Sequence, residues 1–225
     1  MGEARRKVLV TGGARGIGKA ICERFAAEGW DIWAPTRQEL DLASHASVEA
    51  FLAAHGDLGV HCLVNNAGEN TILPFEELPY EDWARMQHVN LNAAFMLSQR
   101  AVGFMASQGG GRIVNVSSCY GVVGRAGRAA YTTSKAGLNG LTVAMAVELG
   151  PRNILVNAVC PGFVETDLTR QNNNPEQIQV LAGMTALKRL AQPEEIAELV
   201  HFLGSSKNSF ITGQAILIDG GFTCQ

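Results

Sequence analysis

Short apolar runs alternate with longer amphipathic stretches along most of the chain. Runs such as residues 112–116 and 154–159 are largely apolar, which is typical of strands buried on both faces of a parallel sheet. Strands that alternate with helices in this way predict a doubly wound α/β fold. The predicted strands cover residues 7–10, 30–36, 60–64, 112–116 and 154–159, with a closing strand within 213–221. The predicted helices run from the glycine stretch 12–18 to about Gly29, from Ser44 to about His55, from Pro79 to about Gln108, from Arg128 to Leu149, and onward from Pro193.

The composition favours one domain over residues 1–225. With 47% apolar and 17% charged residues, the chain can bury a substantial core. Its net charge of −3 offers no basic surface for nucleic acid, and no apolar run approaches the roughly 20 residues of a membrane helix. Residues 1–7 lead into a strand without the long apolar core of a signal peptide, so we expect a cytoplasmic protein.

The cysteines and histidines show no pattern of metal ligands. The five cysteines are scattered, odd in number and without Cys-x-x-Cys spacing, which predicts reduced thiols. The five histidines likewise lack the spacing of ligands, so no metal site is expected.

A hydroxyl, a phenol and an amine are predicted to meet at one edge of the sheet. Tyr131 and Lys135 lie four residues apart on the predicted helix 128–149, so they share a face. A nearby cation favours the phenolate, and we expect Lys135 to lower the pKa of Tyr131 from about 10 and suit it to acid–base catalysis. Ser118 follows strand 112–116, whose carboxyl end opens into the crevice where such sheets bind ligands. A Tyr-x-x-x-Lys pair alone would more often mark an exposed helix face.

A glycine-rich turn near the N-terminus adds a second motif. The sequence TGGARGIG at 11–18 stands between a predicted strand and a predicted helix, where glycines let the backbone approach a pyrophosphate and the helix N-terminus favours negative charge. Four features follow one another in the order found in short-chain dehydrogenases/reductases: this turn, the NNAG stretch at 65–68, the strand ending in Ser117-Ser118, and the Tyr131/Lys135 pair. The chain resembles that family over nearly its whole length, and especially its 3-oxoacyl-ACP reductase-like members.

The resemblance implies a Rossmann-type sheet, an NAD(P)-dependent oxidoreductase, and a homotetramer or homodimer built on the long helices around Asn90 and after Tyr131. It implies a catalytic tetrad of Ser118, Tyr131, Lys135 and Asn90, in which Asn90 holds a water linked to the lysine. The residues that it places beside the cofactor are Gly12, Arg15, Gly16, Ile17, Gly18, Arg37, Asp41, Leu42, Asn65, Ala67, Gly68, Pro161, Gly162, Val164 and Thr166, together with Tyr131 and Lys135.

The chain departs from the family after its second strand. Members usually have a helix there, but Arg37-Gln38-Glu39 leads directly into Leu40-Asp41-Leu42. A parallel crossover needs a dozen or more residues. We therefore predict that the helix between the second and third strands is missing and that any third strand is vestigial.

The end of the second strand predicts the choice of cofactor. Thr36 stands where an NAD-binding relative would carry an acid, and Arg37 follows it. Arg37 and Arg15 could together bind the 2′-phosphate of NADP(H), which makes NAD(H) the less favoured cofactor. Glu39 leaves NAD open, because it could reach a ribose 2′-hydroxyl if the short loop turned inward.

These features predict an NADPH-dependent carbonyl reductase that acts on a small-molecule ketone or alcohol, covered by a substrate lid at about 168–190. The alternatives are an NAD-dependent alcohol dehydrogenase and a non-catalytic dinucleotide sensor or scaffold. The loop 119–128 carries Arg125 and Arg128, which could hold an acidic substrate group, contact another subunit or simply be solvated.

Overall fold

A parallel sheet of six strands forms the centre of the computed structural model, which describes residues 5–224 without the side chains of Leu168 and Asn172. The strand order is β2-β1-β3-β4-β5-β6, and every pairing is parallel. Residues 1–4, on which the signal-peptide expectation partly rests, lie outside the described residues. The strands are β1 Lys7–Val10, β2 Asp31–Trp33, β3 Cys62–Asn65, β4 Gly111–Val116, β5 Ile154–Pro161 and β6 Ala215–Ile218.

Helices cover both faces of this sheet. Successive strand residues point to opposite faces, so Leu9 packs in one core cluster with Leu97 of α4, while Val8 packs in the other with Phe25 of α1 and Leu203 of α8. The predicted doubly wound fold is thereby confirmed. The helices are α1 Gly16–Ala27, α2 His45–His55, α3 Tyr80–Gln87, α4 Ala93–Ser107, α5 Ala129–Leu149, α6 Asp167–Asn172, α7 Pro175–Gly183 and α8 Pro193–Gly204.

The sheet ends at β2, as the short connection predicted. Residues 37–39 form a turn in which the Leu40 amide donates to the Thr36 carbonyl at 2.9 Å. No strand forms at 40–42, and Leu40 and Leu42 are buried in the core instead. Ser44 then caps α2 by accepting a hydrogen bond from the Ser47 amide. The missing helix and vestigial third strand are confirmed, although β2 is shorter than the predicted 30–36.

The long helix predicted over 79–108 is interrupted at Asn90. The chain forms a π-helical turn over His88–Asn92 between α3 and α4. Asn90 is buried in this turn, accepts from the Glu69 amide at 2.9 Å, and donates to the Glu69 carbonyl and to Ser134 Oγ at 3.0 Å each. The wider turn thus directs Asn90 towards the loop after β3 and towards α5, and π turns occur often at functional sites.

The predicted lid region contains two short helices, α6 and α7. Thr166 caps α6 by accepting from the Thr169 amide, and Asn174 forms a capping box with Gln177 at the start of α7. A bridge between Val164 and Ala191 joins the two ends of this region. None of the helices formed by residues 5–224 combines the length and apolar character needed to cross a membrane.

Asn90 should be a stability determinant. Replacing it with Leu leaves the Glu69 backbone and Ser134 without their partner, so we expect a loss of about 1–3 kcal/mol in the free energy of unfolding. Urea denaturation at one fixed protein concentration measures this loss. Asn92→Ala, an exposed position in the same turn, is the control and should stay within about 0.5 kcal/mol of the wild type. Equal stability of the two variants would contradict the structural role of Asn90.

Candidate active site

The turn between β1 and α1 forms one wall of a crevice at the carboxyl edge of the sheet. Gly12 and Gly16 adopt left-handed φ angles of 67° and 53°, and a Cβ at Gly18 would collide with the Gly12 carbonyl oxygen. Arg15 is the N-cap residue of α1, and its exposed side chain forms no capping hydrogen bond. The amides of the first helical turn, which include Ile17, therefore have no side-chain acceptor there and are suited to an anion.

The turn after β3 is fastened to this wall. Thr11 Oγ1 accepts from the amides of Asn66 and Ala67 at 3.0 Å each. The Asn66 side-chain amide donates to the Thr11 carbonyl at 2.9 Å. Neither Thr11 nor Asn66 had a role predicted from the sequence, although Thr11 lies in the TGGARGIG turn and Asn66 in the NNAG stretch.

Asn65 braces the sheet. It is buried, and its Nδ2 donates to Ser98 Oγ at 3.2 Å and to Asn115 Oδ1 at 2.9 Å. Asn115 in turn donates to Thr142 Oγ1 on α5 at 2.8 Å. Asn65 therefore supports the crevice from inside through its Nδ2, while its Oδ1 is buried without a hydrogen-bond partner among the described residues.

Ser118 and Tyr131 meet above the end of β4. Ser118 is buried, and its Oγ accepts from the Tyr120 amide at 3.1 Å. Burial raises the pKa of the Tyr131 phenol, while hydrogen bonding with Ser118 and the charge of Arg128 oppose this shift. The expectation that Lys135 would bring this pKa down is wrong for this structure, because burial dominates.

Lys135 is buried beneath them. Its Nζ donates to the Val116 carbonyl at 2.9 Å and lies 5.7 Å from the centre of the Tyr131 ring. Burial lowers the pKa of Lys135 to about 8. A Cβ added at Gly68 would lie 3.3 Å from Lys135 Nζ and 3.2 Å from Asn90 Oδ1. The structure thus brings Asn90 and Lys135 together around Gly68, where a side chain would intrude.

The segment after β5 forms the opposite wall. β5 ends at Pro161, and the Gly162 amide donates to the Ile218 carbonyl at 3.1 Å. A Cβ at Gly16 would lie 3.3 Å from Thr166 Cγ2, so Thr166 faces the glycine turn across the crevice. Val164 is buried at the bridge to Ala191.

The segment that follows β2 carries one cationic side chain and two carboxylates. Arg37 is exposed, and its Nε lies 3.4 Å from Asp41 Oδ1. The Glu39 carboxylate accepts from the Thr36 amide at 2.7 Å and from Thr36 Oγ1 at 2.9 Å, and these bonds lower the pKa of Glu39. The side chain of Leu42, which the resemblance places beside the cofactor, packs in the core.

The crevice fits a dinucleotide. The amides at the start of α1 offer a place for a pyrophosphate, and the glycines at 12 and 68 keep the backbone open where a Cβ would crowd Ala67 or Lys135. Among the residues that the structure describes, no three His, Cys, Asp or Glu side chains are grouped to hold a metal ion.

Comparisons with known proteins agree with this geometry. A family model described as Enoyl-(Acyl carrier protein) reductase matches residues 34–223, and one described as short chain dehydrogenase matches residues 6–58. The chain is 38% identical to the 3-oxoacyl-[acyl-carrier-protein] reductase FabG of Vibrio cholerae, over 95% of each chain. It is 36% identical to a cyclopentanol dehydrogenase of Comamonas sp., over 99% of each chain.

The solved structures lead to the same family. A short-chain type dehydrogenase/reductase from Mycobacterium marinum superposes with a TM-score of 0.87 at 31% identity, covering 98% of this chain and 96% of that one. The chain belongs to the short-chain dehydrogenase/reductase family and is an NAD(P)-dependent oxidoreductase that acts on CH–OH and C=O groups.

Proposed function

We propose that the protein is an NADPH-dependent carbonyl reductase that converts a ketone to a secondary alcohol. The observation that carries this proposal is the convergence of Ser118, Tyr131 and Lys135 at the crevice edge beside the open glycine turn. The reductase and dehydrogenase names of the two relatives support a reaction between a ketone and an alcohol.

The chemistry of each side chain follows from its partners. The dinucleotide, when bound, supplies a hydride to the carbonyl carbon. Ser118 Oγ accepts from the Tyr120 amide, and its hydroxyl, which also hydrogen-bonds Tyr131 in this structure, donates its proton to the substrate oxygen when substrate is bound. Tyr131 donates its proton to the developing alkoxide, and burial favours the protonated phenol that this step needs.

Lys135 returns a proton to Tyr131 after the phenol has given up its own. Because burial lowers its pKa to about 8, the amine exchanges between charged and neutral forms near physiological pH. Asn90 fixes the loop and helix on either side of this amine through its bonds to Glu69 and Ser134. In this proposal Lys135 resupplies the proton of Tyr131, and Asn90 positions the segments on either side of the lysine.

A second candidate, an NAD-dependent alcohol dehydrogenase, is favoured by one observation. The Glu39 carboxylate is held against Thr36, where an NAD-binding relative would carry an acid. NADPH is supported by two exposed cations, Arg15 and Arg37, although Arg37 already has Asp41 as a neighbour.

The surface of α4 and α5 supports a homotetramer or homodimer. Phe95, Val143 and Val147 are exposed there. An open apolar groove of about 490 Å³ lies on the same surface, lined in part by Leu91 and Leu141. Helices α6 and α7 serve, in the same proposal, as the lid over the substrate.

Tyr131→Phe should reduce turnover by roughly 10²–10⁴-fold, the usual contribution of a general acid. The dissociation constant of NADPH should stay close to that of the wild type. The loss of NADPH absorbance is followed with a panel of acyl thioesters, keto sugars, polyketide ketones and small diketones. The control is Thr133→Ala, an exposed position on the same helix, which should retain full activity.

Retained turnover in Tyr131→Phe would refute the proton-donor role. Tight dinucleotide binding without Tyr131-dependent turnover of any substrate would favour a sensor or scaffold, although such a protein has no need of Ser118 and Tyr131 together.

The rate of reduction should fall as pH rises through about 8. The ammonium form of Lys135 exists below its pKa of about 8 and loses its proton above it, so the proton supply to Tyr131 declines in that direction. Lys135→Arg keeps its charge throughout this range, and its residual kcat should no longer fall there. The kcat is measured from pH 6 to pH 10, with the exposed Lys207→Arg as control. If kcat of Lys135→Arg fell with pH as kcat of Lys207→Arg does, the pH dependence would belong to a group other than Lys135.

Cofactor choice should depend on the charge at Arg37. Arg37→Gln should weaken NADPH binding by roughly tenfold, as expected for a lost charge-assisted contact to phosphate, and leave NADH binding unchanged. Glu39→Gln should leave the affinity for both dinucleotides nearly unchanged. Titrations of both cofactors by calorimetry measure these constants. Weaker NADH binding in Glu39→Gln, with no effect of Arg37→Gln, would favour the NAD-dependent alternative.

A further inference from the structure

Two arginines beside the catalytic residues share one buried aromatic ring. Arg125 Nη1 donates to the Tyr120 hydroxyl at 2.7 Å, and the guanidinium carbon of Arg128 lies 5.0 Å from the centre of the Tyr120 ring. Tyr120 itself is 5% exposed. The ring therefore holds two positive charges in a small volume next to Ser118.

No carboxylate compensates these charges within residues 5–224. Arg24, Arg85 and Arg189 each form an ion pair with a glutamate, whereas neither Arg125 nor Arg128 is paired with an acidic side chain there. Burial lowers the pKa of the partly buried Arg128, and the charge of Arg125 lowers it further. A desolvated cation beside a second cation is costly, and an anion bound between them would relieve that cost.

Arg128 lies beside the proposed proton donor. Arg128 immediately precedes α5, and its charge acts on Tyr131 three residues later. The other side of Tyr120 is apolar, because Phe163 and Phe222 pack against it with ring centres at 6.4 Å and 6.2 Å. The surroundings of Tyr120 thus combine an aromatic wall of Phe163 and Phe222 with two positive charges.

We infer that the substrate is a carbonyl compound that carries an anionic group, a carboxylate or a phosphate, and that Arg128 binds this group. This inference rests on the proposed reductase function. Arg125 adds to the positive field while it holds the Tyr120 hydroxyl. The aromatic wall receives the carbon chain of the same substrate. The bidentate geometry of a guanidinium suits both carboxylate and phosphate.

Matched pairs of substrates test this inference. The series contains short oxo acids in which the ketone moves stepwise away from the carboxylate, each with its methyl ester, and a hydroxyketone with its phosphate ester. For the wild type, kcat/KM of the preferred anion should exceed that of its neutral partner by roughly 10- to 100-fold. Arg128→Gln should abolish this preference, and Arg128→Lys should restore part of it. A preference confined to the acids or to the phosphate identifies the anion.

The control for charge is Arg152→Gln, an exposed position outside the crevice, which should keep the preference. Equal losses on anionic and neutral substrates in Arg128→Gln would mean that the arginine positions Tyr131, and would overturn the inference. Tyr131-dependent turnover with no preference for anions would overturn it too, while leaving the reductase intact.

A binding measurement separates this inference from the proposed function. A saturated carboxylic acid and its methyl ester are titrated by calorimetry into the wild type and Arg128→Gln, each holding NADPH. Binding of the acid that Arg128→Gln loses would support the anion site even if no substrate turned over, and the proposed reductase alone would then fail. Absence of both binding and preference would overturn the inference.

Discussion

The burial of the Lys135 ammonium group at the end of the sheet is the constraint on which the site depends. The residue is 3% exposed, and the Val116 carbonyl accepts from its Nζ at 2.9 Å. A buried cation is tolerated only where polar groups surround it, and the fall of its pKa to about 8 reflects the remaining cost. The parallel sheet supplies such groups because all its strands end at one edge. Ser117, at that edge, donates to the Lys135 carbonyl at 3.1 Å and holds α5 in place.

The truncated edge of the sheet shows which parts of the fold the site does not need. β2 pairs with β1 alone, so it presents an edge that could recruit another strand. Its short length limits this risk. Trp33 holds β2 against one face of the fold by packing on Phe51 and His55 of α2, with Lys7 Nζ 4.1 Å from its ring centre. The lost helix and strand lie beyond this edge, on the side where the adenosine end of the dinucleotide would bind, and the polar groups around Lys135 are untouched.

Patterns in the sequence predicted the layers of the fold but not the direction of particular side chains. The lost helix was predictable because three residues between elements cannot form a parallel crossover. The π turn at Asn90 was not, because it depends on partners at Glu69 and Ser134 that are distant in sequence. The same holds for Asn65, whose neighbours on α4 and β4 face the sheet interior. The pKa of Tyr131 was misjudged for a related reason: the pattern shows a nearby lysine, whereas the depth of burial is a property of the packed fold.

In the proposed reductase, chemistry and substrate recognition lie on different kinds of structure. Tyr131 and Lys135 stand on one long helix that is tied to the sheet by Asn115 through Thr142 and by Ser117, so their relative positions are fixed by secondary structure. The aromatic wall and the arginines come from the loop before that helix, the segment after β5 and the turn at Phe222. Loops tolerate substitution better than the elements that they join. A change at these positions can therefore alter which carbonyl compound is accepted without moving the groups that transfer the proton.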